Sequence, residues 1–221
     1  MYFDFHTHKS SSNPSVFNIR LGHEQNASPA NPFYSVGIHP WDVDNIDVEA
    51  QLILLRQELE KKKIIALGEI GLDKVFGTNL VLQQHVFDKQ IEIANEYHRK
   101  VLIIHCVKSY EEILKARQKA GKNQIWVLHG FNGGEALIKQ LVKANFYFSI
   151  GATLFNPKSR LVKNLQFIPP ERLFLETDDS NLSIKQVFDQ FALLRKMDSA
   201  SIQQQIRSNL TDVFGDIAEV T

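Results

Sequence analysis

Eight short apolar runs, rich in β-branched and aromatic residues, recur along the 221 residues; from Val48 onward, longer segments with apolar positions at helical spacing separate them. Strands that alternate with amphipathic helices predict a parallel sheet built from strand–helix units. The expected strands are Tyr2 to His6, Ser15 to Leu21, Tyr34 to Ile38, Ile64 to Leu67, Val101 to Ile104, Ile125 to Leu128, Phe146 to Ile150 and Leu173 to Glu176. Val101 to Ile104 is apolar without interruption, as a strand buried on both faces must be. Helical stripes fall at Val48, Leu52, Leu55 and Leu59, and within Leu80 to His98 at Gln83, Phe87, Ile91 and Ala94. Another begins at Tyr110, with Gly121 expected to end it in a left-handed cap. A further one runs from Ala136 to Ala144, a short piece lies near Lys158 to Phe167, and two helices close the chain around Ile184 to Phe191 and Ile202 to Leu210.

This pattern suits an α/β fold, a single TIM-like (β/α)8 barrel formed by residues 1–221. The fold typically needs about 250 residues, with about 200 as its lower end. The shortfall is assigned to the first strand–helix unit, where His8 to Ser15 is too short and polar for a helix. No repeat, linker or charge run marks a second domain.

A barrel of this kind carries its reactive residues at the C-terminal ends of its strands. His6 and His8 end the first strand, and their spacing of two points both imidazoles to one side. Glu69 follows the fourth run within Leu67-Gly68-Glu69-Ile70-Gly71-Leu72-Asp73, whose glycines let the backbone pass close to a ligand. His105, His129 and Asp178 follow the fifth, sixth and eighth. His-x-His alone occurs by chance in many chains, and one histidine after an apolar run is an ordinary core residue. Four histidines, a glutamate and an aspartate that all fall at strand ends point instead to one metal site on one rim.

Charge and composition narrow the ligand. The 25 basic and 25 acidic residues cancel, so there is no global basic field to coat a nucleic acid, and any polyanion must be gripped locally. The lone Cys106 cannot form an internal disulfide, and no apolar run approaches a membrane span. MYFDFHTHKSS lacks a signal-peptide layout. These features predict a cytoplasmic protein with no membrane partner, expected to be a monomer.

The pieces Asp4-Phe5-His6-Thr7-His8, Val36-Gly37-Ile38-His39-Pro40, Gly68-Glu69-Ile70-Gly71-Leu72-Asp73, Ile104-His105, His129-Gly130-Phe131-Asn132-Gly133 and Leu175-Glu176-Thr177-Asp178 together resemble the TatD-type metal-dependent deoxyribonucleases of the amidohydrolase superfamily. Asn209 to Phe214 also resembles that family's last helix. The resemblance implies two divalent cations with Glu69 reaching both; the mixed nitrogen and carboxylate donors are compatible with zinc, manganese, nickel or iron, and a carboxylate-bridged site also with magnesium. His6, His8 and Asp178 would complete one site and His105 and His129 the other. It further implies trimming of single-stranded DNA from the 3′ end, with Asp178 taking a proton from the attacking water and Glu69 holding the metal pair. The alternative activity is hydrolysis of a small amide, lactone or phosphoester at the same metals.

Around this centre, His39, Lys108 and Phe131 are expected to touch substrate. Trp41 and Phe155 are further stacking candidates, and Asp73 is expected to orient a ligand. Two departures from the family pattern bear on substrate. Val107 stands where many members have an arginine that could grip phosphate, with Lys108 beside it. Asp179-Ser180-Asn181 replaces a small residue and proline, so the eighth loop is expected to take a different path.

Overall fold

The computed structural model describes residues 1–21, 33–97, 101–121 and 123–215. Eight parallel strands form one sheet in sequence order: β1 (Asp4–Thr7), β2 (Ser15–Arg20), β3 (Phe33–Gly37), β4 (Ile64–Asp73), β5 (Val101–Val107), β6 (Ile125–Leu128), β7 (Phe146–Ile150) and β8 (Leu173–Leu175). Every neighbouring pair is parallel. Closure comes just past β8, where Thr7 and Asp178 form a parallel bridge and the Asp178 amide donates to the His6 carbonyl at 3.0 Å. The barrel seam therefore runs through three residues predicted to serve the site or flank it.

The helices are α1 (Val48–Leu59), α2 (Leu80–Glu96), α3 (Tyr110–Lys119), α4 (Glu135–Lys143), α5 (Arg160–Asn164), α6 (Ile184–Arg195) and α7 (Ser199–Phe214). Several start where a polar side chain satisfies the orphan amides of the first turn: Asp47 for α1, Asn79 for α2, Asp198 for α7, and a reciprocal Ser183–Gln186 capping box for α6. Residue 98, in the expected second helix, lies outside the described residues. The piece near 158–167 divides into α5 and a 3₁₀ turn, Leu165–Phe167. Gly121 does not cap α3 as expected. Ala120 ends it in an extended conformation (φ −70°, ψ 159°), so no left-handed residue is needed there.

No helix separates β1 from β2: the chain turns through residues 8–14, and the Asp4 amide donates to Pro14 O at 2.9 Å as β2 begins. The abbreviated first unit expected from the sequence is thus a loop. Its Lys9 ammonium instead reaches across the seam to Asp179 O, Ser180 O and Asn181 Oδ1 at 2.7–2.9 Å, and fastens the altered eighth loop.

β4 is much longer than the four-residue apolar run that predicts it. It continues through Gly68, Glu69 and Gly71 because β5 keeps pairing with it, Ile70 with Ile104 through to Asp73 with Val107, after an irregularity between Leu67 and Ile70. The glycines serve this close pairing. Gly71 has φ +143°, and a Cβ there would stand 2.0 Å from His105 O. Gly68 does the same, since a Cβ there would stand 2.6 Å from Ile103 Cβ, so the close approach these glycines permit in the structure is that of β4 to β5. The core fills with such residues as Phe5, Phe87, Trp126, Phe148, Phe174 and Phe188, each at most 1% exposed.

Candidate metal centre

Glu69 is the hub of the site. It sits in the extended half of β4, 4% exposed, with imidazoles on both carboxylate oxygens. Oε1 lies 2.5 Å from His105 Nδ1, 2.5 Å from His129 Nε2 and 3.1 Å from His39 Nε2. Oε2 lies 3.5 Å from Nε2 of both His6 and His8, and Asp178 Oδ1 lies 3.7 and 3.5 Å from the same two nitrogens. Six residues from the ends of five strands thus converge, with a seventh, His39, just past β3. The sequence reading placed His39 on substrate. In the structure it is buried with Nε2 on Glu69 Oε1, among donors close enough to share a metal with His105, and its Nδ1 accepts the Trp41 amide.

Burial alone would raise the Glu69 carboxyl. The charge of His129 and the hydrogen bonds of His105, His129 and His39 overcome it and hold the group well below its ordinary range. Burial likewise opposes a charge on His129, yet Glu69, with Glu176 behind it, pulls that imidazole well above the ordinary histidine value. For His39 burial wins and the pKa falls. For His8, less enclosed, Glu69, Asp178 and Asp179 outweigh burial and raise it.

The donor set fits divalent metal. His6 is fully buried, yet neither ring nitrogen has a hydrogen-bond partner among the described residues. Such orphaned nitrogens are costly unless something coordinates them. Ligand atoms of His6, His8 and Glu69 lie within 4.8 Å of one another, as do those of His39, Glu69 and His105, of His6, His129 and Asp178, and of His8, Asp178 and Asp179. Mixed imidazole and carboxylate donors suit zinc, manganese and related ions. Asp178 holds its place at φ +51°, a left-handed conformation uncommon for a side-chain-bearing residue and characteristic of functional sites.

An outer layer orients these groups. Asp73 Oδ2 lies 3.1 Å from His105 Nε2 and accepts Trp41 Nε1–H at 2.7 Å, while its Oδ1 accepts the amides of Val75 and Phe76. Despite partial burial, these donors lower its pKa. Two glutamines on α2 act from outside the sheet. Gln83 accepts the Asp73 amide and donates to its carbonyl at 2.8 and 3.0 Å; Gln90 does the same for Ile38, just before His39, at 2.7 and 3.1 Å.

Glu176, 1% exposed, accepts the Gly130 amide at 2.6 Å and stands 3.8 Å from His129 Nδ1. Asp4, 2% exposed, receives the Thr177 amide and hydroxyl at 2.9 and 2.6 Å. Sequence reasoning placed Gln83 on its helix's apolar stripe and Asp4 and Glu176 within the family-like pieces, but gave none of them, nor Gln90, a role at the site. The available signal was a polar residue on an otherwise buried face.

The predicted peripheral residues divide. Lys108 follows β5 with an exposed side chain and φ +52°. Phe131 cannot receive a base: it is 1% exposed and its ring packs on Phe148 with centroids 4.8 Å apart. A Cβ on Gly133 would meet that ring at 2.3 Å, so the glycine makes room for an inward-turned phenylalanine. Phe155 is 41% exposed on a 3₁₀ turn after β7. Trp41 lies beside His39 and His105, with centroids at 4.7 and 5.7 Å.

Comparison with known proteins gives this geometry a context. The chain is 28% identical over 199 residues to the uncharacterized metal-dependent hydrolase YabD of Bacillus subtilis, covering 82% of this chain and 77% of that one. It is 33% identical over 136 residues to a human protein named 3′-5′ RNA nuclease TATDN2, covering 59% of this chain and 18% of the human protein. The solved structure of YjjV, a TatD homologue from Escherichia coli K12, shares the fold with a TM-score of 0.79 at 21% identity, over 96% of this chain and 97% of that one. Residues 10–215 match the family described as TatD related DNase. With the match spanning nearly its whole length, the chain belongs to that family and is a metal-dependent hydrolase of the TatD type.

Proposed function

We propose that this hydrolase cleaves phosphodiester bonds and trims single-stranded DNA from the 3′ end with two divalent cations, magnesium, manganese or zinc. The observation that carries the reading is the divided use of Glu69, with His105 and His129 on one oxygen and His6 and His8 near the other. His6, His8, Asp178 and Glu69 would hold one cation, and His105, His129 and Glu69 the other. A pair of divalent cations, when bound, supplies an acidified water and neutralises charge on the oxygens of the scissile group.

The chain supplies the rest. Asp178, about 39% exposed at its side chain, faces the mouth and accepts the water's proton at its carboxylate. Glu69, kept ionised by its histidines, holds the two halves of the site in register. The Lys108 ammonium, exposed beyond β5, reaches a phosphate oxygen in place of the arginine replaced by Val107. His39 steadies Glu69 from the substrate side. The family description and the human relative's name as an RNA nuclease support a nucleic-acid substrate.

The test is nucleotide release from end-labelled single-stranded DNA and RNA after chelation and re-addition of each metal, with Glu69→Ala as control. Metal-dependent trimming of DNA from the 3′ end, lost in Glu69→Ala, is expected. Release from RNA alone, or from the 5′ end, would overturn the stated substrate or polarity. Val107 favours one second reading, a small-molecule amide, lactone or phosphoester hydrolase. Turnover of such a panel without trimming would establish it.

A further inference from the structure

Phe76 stands out among the apolar side chains at the barrel mouth. It is 52% exposed on the loop between β4 and α2, three residues after Asp73. An exposed phenylalanine in a loop normally has freedom to move, but this one is fixed twice. Its amide donates to Asp73 Oδ1 at 3.1 Å, and its ring stacks on Trp41 at 4.5 Å and 11°. Trp41 is held in turn by its indole N–H on Asp73 and by the Arg20 guanidinium, 5.4 Å from its ring centroid. Arg20 is clamped to Asp42 at 2.5 and 2.6 Å. The result is a pile of flat groups, Arg20, Trp41 and Phe76, whose last member is half open to solvent.

Its position gives the pile a purpose. Asp73 accepts the Phe76 amide and the Trp41 indole N–H and stands 3.1 Å from His105 Nε2, so the backbone that carries the ring and the ring it stacks on are each tied by one hydrogen bond to a residue beside the metal centre. A planar group held on Phe76 would lie beside the centre. Exposed aromatic rings held rigidly in this way are the usual platform for unpaired bases, and stacking tolerates any base because each has a π-face.

We propose that Phe76, backed by Trp41, is the stacking platform for an unpaired nucleobase next to the bond that is cut. The inference rests on the phosphodiesterase reading and deepens it: it makes the base a recognised part of the substrate and explains a requirement for single strands, since paired bases keep their faces inside the duplex. It assigns to Phe76 the stacking role for which the buried Phe131 is unsuited.

The test compares trimming of two oligodeoxynucleotides, one natural and one abasic at its last two positions, by wild type, Phe76→Ala and Phe76→Leu with manganese. Wild type should show a KM at least about tenfold lower for the natural oligonucleotide, within the range of base–aromatic stacking. Phe76→Ala should raise that KM to the abasic level and leave kcat and the abasic KM unchanged, with Phe76→Leu close to Ala because it keeps apolar area but no ring.

Equal wild-type KM values with trimming intact would overturn the platform and leave the nuclease reading standing. An unchanged natural-to-abasic ratio in Phe76→Ala would also overturn it, as would equal loss of kcat on both substrates, which would mark Phe76 as support for Asp73. A wild-type dimer made monomeric by Phe76→Ala with the ratio unchanged would reassign the ring to self-association. No trimming of any oligonucleotide would remove the nuclease reading and this inference together.

Discussion

Glu69 cannot be replaced by a neutral isostere, because glutamine has only one acceptor oxygen where the site uses two. Glu69→Gln should lower bound metal and turnover by more than about 100-fold, the upper end of what outer-layer partners contribute; elemental analysis beside an activity assay checks this. Asp73→Asn keeps the shape but weakens the charge behind His105 and should cost about 10- to 100-fold in metal affinity, measured by titration of chelated protein. Protons compete with metal for the same imidazoles. His8 and His129 hold their protons above the ordinary 6.5, so apparent metal affinity should climb as pH rises through and beyond 6.5. A flat profile would mean that these rings do not ligate.

At the scale of elements, legibility followed the apolar runs. β6 and β7 begin and end where their runs do, because their pairing extends no further than their hydrophobic residues. β4 does not, since its second half is held by β5 across glycines that local propensity marks as a turn. Phe131 misled for a related reason: its inward turn depends on the absence of a Cβ at Gly133. The candidate ligands were readable because strand ends face one rim in any such barrel, whereas the orienting residues are scattered, Asp4 and Asp73 on strands, Gln83 and Gln90 on α2 and Glu176 just past β8, with no spacing common to them. Asn209 is an example. Fully buried on α7, its amide donates to Pro170 O and Leu173 O at 2.7 Å each. Asn209→Ala leaves both carbonyls unsatisfied and should cost about 3 kcal/mol, read from the urea midpoint.

For the whole molecule, the candidate site is also the closure of the barrel, because Asp178 belongs to its donor cluster and bridges to β1. A metal that binds only the folded chain should stabilise it by about 2.7 kcal/mol at one hundred times its Kd. In a chain of this size that corresponds to a rise in Tm of about 5–10 °C. Thermal melts with and without chelator would show it, and the Glu69→Gln melt should not respond. No helix among the described residues is long and apolar enough to cross a membrane.

Gln83 and Gln90 give α2 a further property. Seven residues apart on one face, they grip the backbones of Asp73 and Ile38 with two hydrogen bonds each. The helix therefore works as an outrigger: a push on its outer surface displaces the supports of His105 and His39 together. Substitutions on the solvent face of α2, far from any ligand, should tune the spacing between those two imidazoles without touching either.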